Sequence, residues 1–291
     1  MRDAALRTLM ETRAGHPEAI REAAQLRGRR PMIRPSGRLL LVAADHPARG
    51  ALAVRDRPDA MASRVGLLDR LLTALERPGV DGVLGTPDVL EDLLLLGALE
   101  GKVVIGSMNR GGVPGTVFEI DDRFTAYDAA SIDEMRFNAG KMLLRIDPSD
   151  AATASTLAGC AAAVSALADR GLTALVEPFW VSRGPDGRAV NDLRPEAMVR
   201  ALAIAQGLGR TSAYTWLKVP VVDDMEAVME ASTLPALLLG GDPPGTPQET
   251  YASWEKALRL PTVRGLVAGR SLLYPPDDDV AAAVDTAVGL L

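Results

Sequence analysis

The chain has 291 residues, 47% apolar and 24% charged, with a net charge of −6 and a pI near 5.1. That length suits one α/β barrel of about 250 residues, and the acidic balance excludes a diffuse polyanion partner such as nucleic acid, so any anion site must be local. Cys160 is the only cysteine, which leaves no internal disulfide and makes a reducing cytoplasm the expected compartment; the charged start lacks a signal core, and no stretch approaches the roughly 18 unbroken apolar residues of a membrane span.

Residues 1–37, rich in Ala, Arg and Glu and closing on Arg34-Pro35-Ser36-Gly37, predict one or two exposed helices and a turn, an extension packed on a main domain of residues 38–291. From Arg38 onward, a strand-like apolar run alternates with an amphipathic segment eight times. The predicted strands are Leu39 to Ala44, Val80 to Leu84, Val103 to Gly106, Met142 to Ile146, Leu172 to Val176, Tyr214 to Val219, Ala236 to Leu239 and Val263 to Ala268. Helices are expected over Ala60 to Leu75, Val89 to Leu99, Ser131 to Ala139, Thr153 to Asp169, Pro195 to Gly207, Asp224 to Glu230, Pro247 to Leu258 and Asp277 to Leu290. Eight such units predict a closed (β/α)8 TIM barrel with an N-terminal helical extension. An open doubly wound sheet would carry a Gly-rich dinucleotide turn after its first strand, and none follows Ala44. The longest connections, 45–59, 108–127 and 178–194, all follow strands, which puts them on the face where barrel enzymes build their sites. Gly111-Gly112 and Gly184-Pro185-Asp186-Gly187 make two of them candidate lids, or solvated insertions.

Lys218 stands out because the chain has only four lysines, Lys102, Lys141, Lys218 and Lys256, and otherwise uses arginine for positive charge. A guanidinium stays charged, whereas an ammonium can lose its proton and attack a carbonyl. Strand alternation puts Tyr214, Trp216 and Lys218 on one face, Thr173, Leu175 and Glu177 on another, and Leu39, Leu41, Ala43 and Asp45 on a third. Lys218, Glu177 and Asp45 therefore converge on the barrel mouth. Their chemistry suits a Schiff base: Lys218 as nucleophile, Glu177 as proton shuttle, Asp45 as the group that orients or deprotonates a substrate hydroxyl. Lys141 and Arg145 would add positive charge that lowers the amine's pKa; Lys141 starts its predicted strand, so a solvated position at the barrel floor is the alternative. A buried Lys218–Glu177 ion pair without chemistry is the structural alternative for the whole set.

The strand ends Leu239-Gly240-Gly241-Asp242 and Ala268-Gly269-Arg270-Ser271 put glycine N–H groups and a guanidinium where phosphate is usually held in this fold. No metal and no cofactor is expected: the histidines are His16 and His46, and one cysteine gives no soft ligand set, which leaves an Asp/Glu magnesium site as the open alternative. A Gly-x-Ser-x-Gly elbow is absent, which leaves lysine as the best nucleophile.

From about Arg38 to Leu290 the chain resembles the class I aldolase superfamily of the deoxyribose-phosphate and tagatose-bisphosphate aldolase type, which includes the archaeal-type fructose-bisphosphate aldolases. Ala43-Ala44-Asp45-His46 looks like its first-strand Asp motif, Lys141-Met142-Leu143-Leu144 like its fourth-strand lysine motif, Val176-Glu177-Pro178 like its fifth-strand acid, and Lys218 like its Schiff-base lysine. His46 replaces the more usual glutamine. The resemblance implies catalysis by Lys218, Glu177, Asp45 and Lys141, and binding of a phosphorylated substrate by Gly240, Gly241, Gly269, Arg270, Arg145 and His46. It extends to an actinobacterial branch associated with inositol catabolism, which implies cleavage of 5-dehydro-2-deoxy-phosphogluconate to dihydroxyacetone phosphate and malonate semialdehyde. Arg49, Arg110, Arg145 and Arg183 are spare arginines for the carboxylate of that substrate. Expected partners are the small phosphorylated substrate and further copies of the chain, with no nucleic acid and no membrane. Two other readings stay open: a sugar-phosphate isomerase or epimerase with Glu177 as base and Lys218 as a clamp, and a catalytically silent sugar-phosphate-binding barrel whose first 37 residues contact a partner.

Overall fold

The computed structural model describes residues 3–33, 35, 37–109, 113–241 and 245–291. Its strands are β1 (Leu39–Ala43), β2 (Gly82–Gly85), β3 (Val103–Ser107), β4 (Ala139–Ile146), β5 (Thr173–Arg183), β6 (Ala189–Asp192), β7 (Thr215–Pro220), β8 (Ala236–Leu239) and β9 (Val263–Ala268). Eight of them pair in parallel in the order β4-β3-β2-β1-β9-β8-β7-β5, and β4 pairs with β5 to close the sheet into a (β/α)8 barrel. Only β6 is antiparallel: it folds back on the outer half of β5, with Trp180 opposite Asp192 and Arg183 opposite Ala189.

The two faces of each strand bury different clusters. Leu39, Leu41, Leu84, Val103, Ile105, Leu175, Leu237 and Val267 point inward and fill the barrel. Their neighbours, such as Leu40, Val42, Val83, Val104, Val176 and Leu217, face the surrounding helices. This period-two division is what a strand buried on both sides requires. Gly265 has a φ of 138°, and a Cβ there would collide with the carbonyl of its β1 partner Leu39, so the position requires glycine.

Helices α1 (Asp3–Gly15) and α2 (Ala19–Leu26) precede β1. After them, Met32 and Ile33 pack onto the inner cluster and close the barrel floor. Arg27 fastens this segment by donating to the carbonyls of Leu99, Arg136 and Lys102, and Arg30 pairs with Asp81 at 3.0 Å. Arg34 and Ser36 of the expected turn lie outside the described residues, as do Arg110, Gly111 and Gly112 of the third-strand connection and Asp242 after β8.

The remaining helices are α3 (Arg64–Glu76), α4 (Pro87–Leu95), α5 (Ala129–Glu134), α6 (Ala152–Ala168), α7 (Pro195–Ala205), α8 (Met225–Glu230), α9 (Pro247–Leu258), α10 (Arg270–Leu273) and α11 (Val280–Gly289). Among the described residues no helix is long and apolar enough to cross a membrane. Two departures from the sequence expectations matter for the site. The helix expected to reach Ala139 ends at Glu134, Arg136 turns through a positive φ of 56°, and Asn138 pairs with Val104, so β4 begins at Ala139 and Lys141 is its third residue. The segment expected as a loop over 178–194 is instead a hairpin, turned by Gly184-Pro185-Asp186-Gly187 with Gly187 at φ 79°.

Candidate active site

Four ionisable side chains meet just above the inner apolar layer, Lys141 from β4, Glu177 from β5, Lys218 from β7 and Asp45 from just after β1. Lys218 Nζ lies 2.9 Å from Glu177 Oε1, Glu177 Oε2 lies 2.7 Å from Lys141 Nζ, and Lys141 Nζ lies 2.9 Å from Asp45 Oδ2. The result is a buried ladder of alternating charge. Burial pushes the Lys218 ammonium down, and Lys141 adds to that, against the pull of Glu177 and Asp45. Burial also acts on Lys141, but Asp45 and Glu177 on either side outweigh it and lift the group to about 12. For Glu177, burial is outweighed by the two ammonium groups, which hold it down at about 2. Environment thus separates the two lysines: Lys141 is the fixed cation and Lys218 the amine that deprotonates more readily.

A cavity of ≈ 390 Å³ opens above this ladder, within the size range of small-ligand sites. Lys218 and Glu177 form part of its wall, together with His46, Arg49, Gly240, Gly241, Gly269 and Arg270. The glycines are also required by packing. A Cβ at Gly240 would come within 2.8 Å of Ala268 and Ser271, and one at Gly269 would strike the Ala43 carbonyl and His46. Burial holds the His46 imidazole down at about 3, and although Asp45 opposes this, Arg49, Arg270 and Lys218 push the same way, so the ring is neutral near pH 7. Its Nδ1 is buried without a hydrogen-bond partner.

Several expected site residues sit elsewhere. Arg145 is not on the cavity wall: its guanidinium is held by the side chain and carbonyl of Glu119, and the charge that presses on Lys218 comes from Lys141. Lys141 is a buried interior group and not a solvated floor residue, because β4 starts earlier than its apolar run suggests. Asp45 lies behind Lys141, off the wall, which suits it to fixing that ammonium better than to touching a substrate hydroxyl. Ser107, whose Oγ is 3.5 Å from Asp45 Oδ2 and 3.0 Å from the Asn109 carbonyl, was missed; it shares the inward parity of Val103 and Ile105, so the same alternation would have found it. Phe179, Asn191, Leu193 and Trp254 also line the cavity, and nothing in their local sequence marks them.

A family model described as Cgl0159-like matches residues 37–288. The chain belongs to the Cgl0159-like family. Its structure superposes with a TM-score of 0.97 on the crystal structure of Cgl0159 from Corynebacterium glutamicum, at 52% identity over 100% of this chain and 97% of that one. A Schiff-base-forming fructose-1,6-bisphosphate aldolase matches at TM-score 0.63 and 19% identity, covering 93% of this chain and 99% of the other. An archaeal fructose-1,6-bisphosphate aldolase, solved with its catalytic lysine covalently bound to the carbinolamine intermediate, matches at 0.62 and 18%, covering 93% and 98%. At that identity these two likenesses establish the fold. A search of curated protein sequences finds no match.

Proposed function

We propose that this member of the Cgl0159-like family is a class I aldolase, a C–C lyase that forms a Lys218 Schiff base with a phosphorylated keto sugar or keto acid. The observation that carries the reading is the split between the two lysines. Lys218 lies on the cavity wall with its ammonium form disfavoured, and it shares Glu177 with a Lys141 held cationic. A structural ion pair has no need of a second lysine that lowers the first.

The neutral amine attacks the substrate carbonyl, and the carbonyl oxygen takes up a proton to give a carbinolamine. Glu177, 2.9 Å from Nζ, accepts the amine proton and returns it to the departing hydroxyl, so that water leaves and an iminium remains. A base removes the proton of the hydroxyl on the carbon beyond the scissile bond. The C–C electrons then move into the iminium, giving an enamine and a free aldehyde. Protonation of the enamine at carbon and addition of water release the ketone and restore Lys218. Lys141 holds the Glu177 carboxylate in place and keeps it ionised between proton transfers.

Gly240, Gly241, Gly269, Arg270 and His46 fit a phosphate at the β8–β9–β1 side of the mouth. Dihydroxyacetone phosphate is the donor suited to that end. Of the candidate 5-dehydro-2-deoxy-phosphogluconate, the dihydroxyacetone phosphate half meets these glycine N–H groups and the Arg270 guanidinium, whereas the malonate semialdehyde half meets no comparable match across the cavity. Borohydride added with dihydroxyacetone phosphate should fix a mass adduct on Lys218; intact-mass spectra without an adduct across a panel of phosphoketoses overturn the reading. The isomerase alternative is separated by Lys218→Arg, since a clamp keeps part of its activity and a Schiff-base lysine keeps none.

A further inference from the structure

We infer that the portion of substrate beyond the imine carbon, the part released as aldehyde, is uncharged and largely apolar, and that Leu143, Phe179 and Leu193 select it. The inference rests on the Schiff-base reading for the carbonyl at Lys218 and the release of an aldehyde; the contrast between the two walls follows from the cavity. In the closed strand order, β1 and β9 lie diametrically across from β5 and β4. The β1–β9 side presents His46, Arg49 and Arg270, and both arginines act on the same imidazole, so they belong to one cationic end. The opposite side presents Leu143 from β4, Phe179 from β5, and Asn191 and Leu193 from and just after β6. Lys218 on β7 stands between the two. A ligand with its anion at the cationic end and its carbonyl at Lys218 points the rest of its chain towards this apolar side, and the cavity wall at the ends of β7 and β8, Pro220, Val221 and Leu239, is uncharged as well.

The apolar side lies close to several arginines; four of them are paired with a carboxylate of the protein, and Arg200 stands over the Trp180 ring. Arg145 is paired with Glu119 at 2.9 Å, Arg183 with Asp147 and Asp150 at 2.6 Å each, Arg188 with Asp186 at 3.4 Å and Arg194 with Asp192 at 2.5 Å. A substrate carboxylate placed there would be desolvated against Leu143 and Phe179 and would face the ionised Glu177. Burying a charge without a partner is unfavourable, whereas an alkyl group gains from leaving water. The Asn191 amide offers a neutral hydrogen-bonding position, so a hydroxyl is compatible with this wall. The hairpin is thus a specificity element: it extends β5 past the barrel rim and carries Asn191 and Leu193 back over the mouth.

The test uses two phosphate monoesters of equal carbon count, n-pentyl phosphate and 5-phosphonooxypentanoate, titrated calorimetrically into the intact chain. The alkyl ester should bind at least about tenfold more tightly. Leu193→Arg, at a side chain 48% exposed and so tolerant of change, should raise the affinity of the carboxylated ester by about tenfold. With dihydroxyacetone phosphate as donor, butyraldehyde should exceed succinate semialdehyde in kcat/KM by a similar factor. Equal or tighter binding of the carboxylated ester to the unaltered protein overturns the inference, as does binding of neither. A protein that prefers the alkyl ester but gives no borohydride adduct keeps this selectivity and loses the aldolase reading.

Discussion

The floor of the barrel, closed by Met32 and Ile33, and its mouth, walled by Lys218 and Glu177, both bury charged side chains, but they give them different partners. On the floor, Arg27 donates to three main-chain carbonyls, and Asp81 accepts from the Leu40 N–H while pairing with Arg30. Main-chain groups do not titrate and a guanidinium such as that of Arg30 stays charged, so those charges serve as fasteners. At the mouth the partners are other ionisable side chains, and two identical amines end with pKa values displaced in opposite directions. A buried charge held by the backbone belongs to the frame, whereas one held by neighbours that exchange protons is equipped for chemistry.

The largest expected difference between the two ends comes from Lys218→Met. Imine trapping should vanish and turnover should fall by more than about 10³-fold, because no other described group on the cavity wall supplies an amine. The fold should survive, since Glu177 keeps Lys141 at 2.7 Å. Unchanged borohydride labelling of the variant would move the nucleophile elsewhere.

Lys141→Met attacks the ladder from the other side. It leaves Asp45 and Glu177 without their shared cation, a loss of about 3–5 kcal/mol in denaturant unfolding. It also removes the positive charge that helps depress Lys218, so the rising limb of the pH–rate profile for imine formation should move to higher pH. Lys141→Arg keeps the charge and should hold that limb near its original position. An alkaline shift in neither variant would reduce Lys141 to a structural role.

Much of this contrast can be read from the chain itself. Period-two alternation sends Lys218, Glu177 and Asp45 to one rim, and all eight predicted barrel strands are present. What the alternation misses depends on contacts between distant segments. Lys141 is misread as a strand start because Ala139 and Gly140 carry no β preference; pairing of Asn138 with Val104, and of Ala139 and Gly140 with Ile105 and Gly106, makes that stretch a strand. Arg145 is misassigned because its partner Glu119 lies 26 residues away in a connection whose path local pattern does not determine. The apolar wall escapes for the same reason, since Leu193 reaches the cavity only through the hairpin return of β6.

On the floor, Arg27→Met should cost roughly 2–4 kcal/mol, as three carbonyls lose a charged donor while the methionine chain keeps part of the contact with Phe137. Because none of these atoms borders the cavity, kcat should stay within about twofold of the original value. A drop in kcat with unchanged stability would mean that the two ends of the barrel are coupled, and would undo the division between frame and chemistry.

The smallest effect is expected in acid, where the Glu177 carboxylate at the mouth should titrate and the Arg27 guanidinium at the floor should not. Glu177 is held at about 2 in the folded protein against an ordinary 4.5, so between those values the unfolded chain binds the proton more readily. Stability therefore rises with pH across that window, is fully present above about pH 4.5, and is lost as pH falls towards 2. Thermal midpoints measured from pH 5 down to about 2 should fall less steeply for Glu177→Gln than for the original chain. A residual slope belongs to the other carboxylates held below their usual range, among them Asp147 and Asp88 away from the ladder and Asp45 within it: burial alone would raise the Asp45 pKa, but Lys141 and Lys218 hold it down, so it contributes in both proteins. Arg27, lowered by burial only to about 10, stays cationic throughout, and Arg27→Met should leave the slope unchanged. If instead Arg27→Met flattens the curve and Glu177→Gln does not, the acid-sensitive charge lies at the floor, and the ladder at the mouth is the inert one.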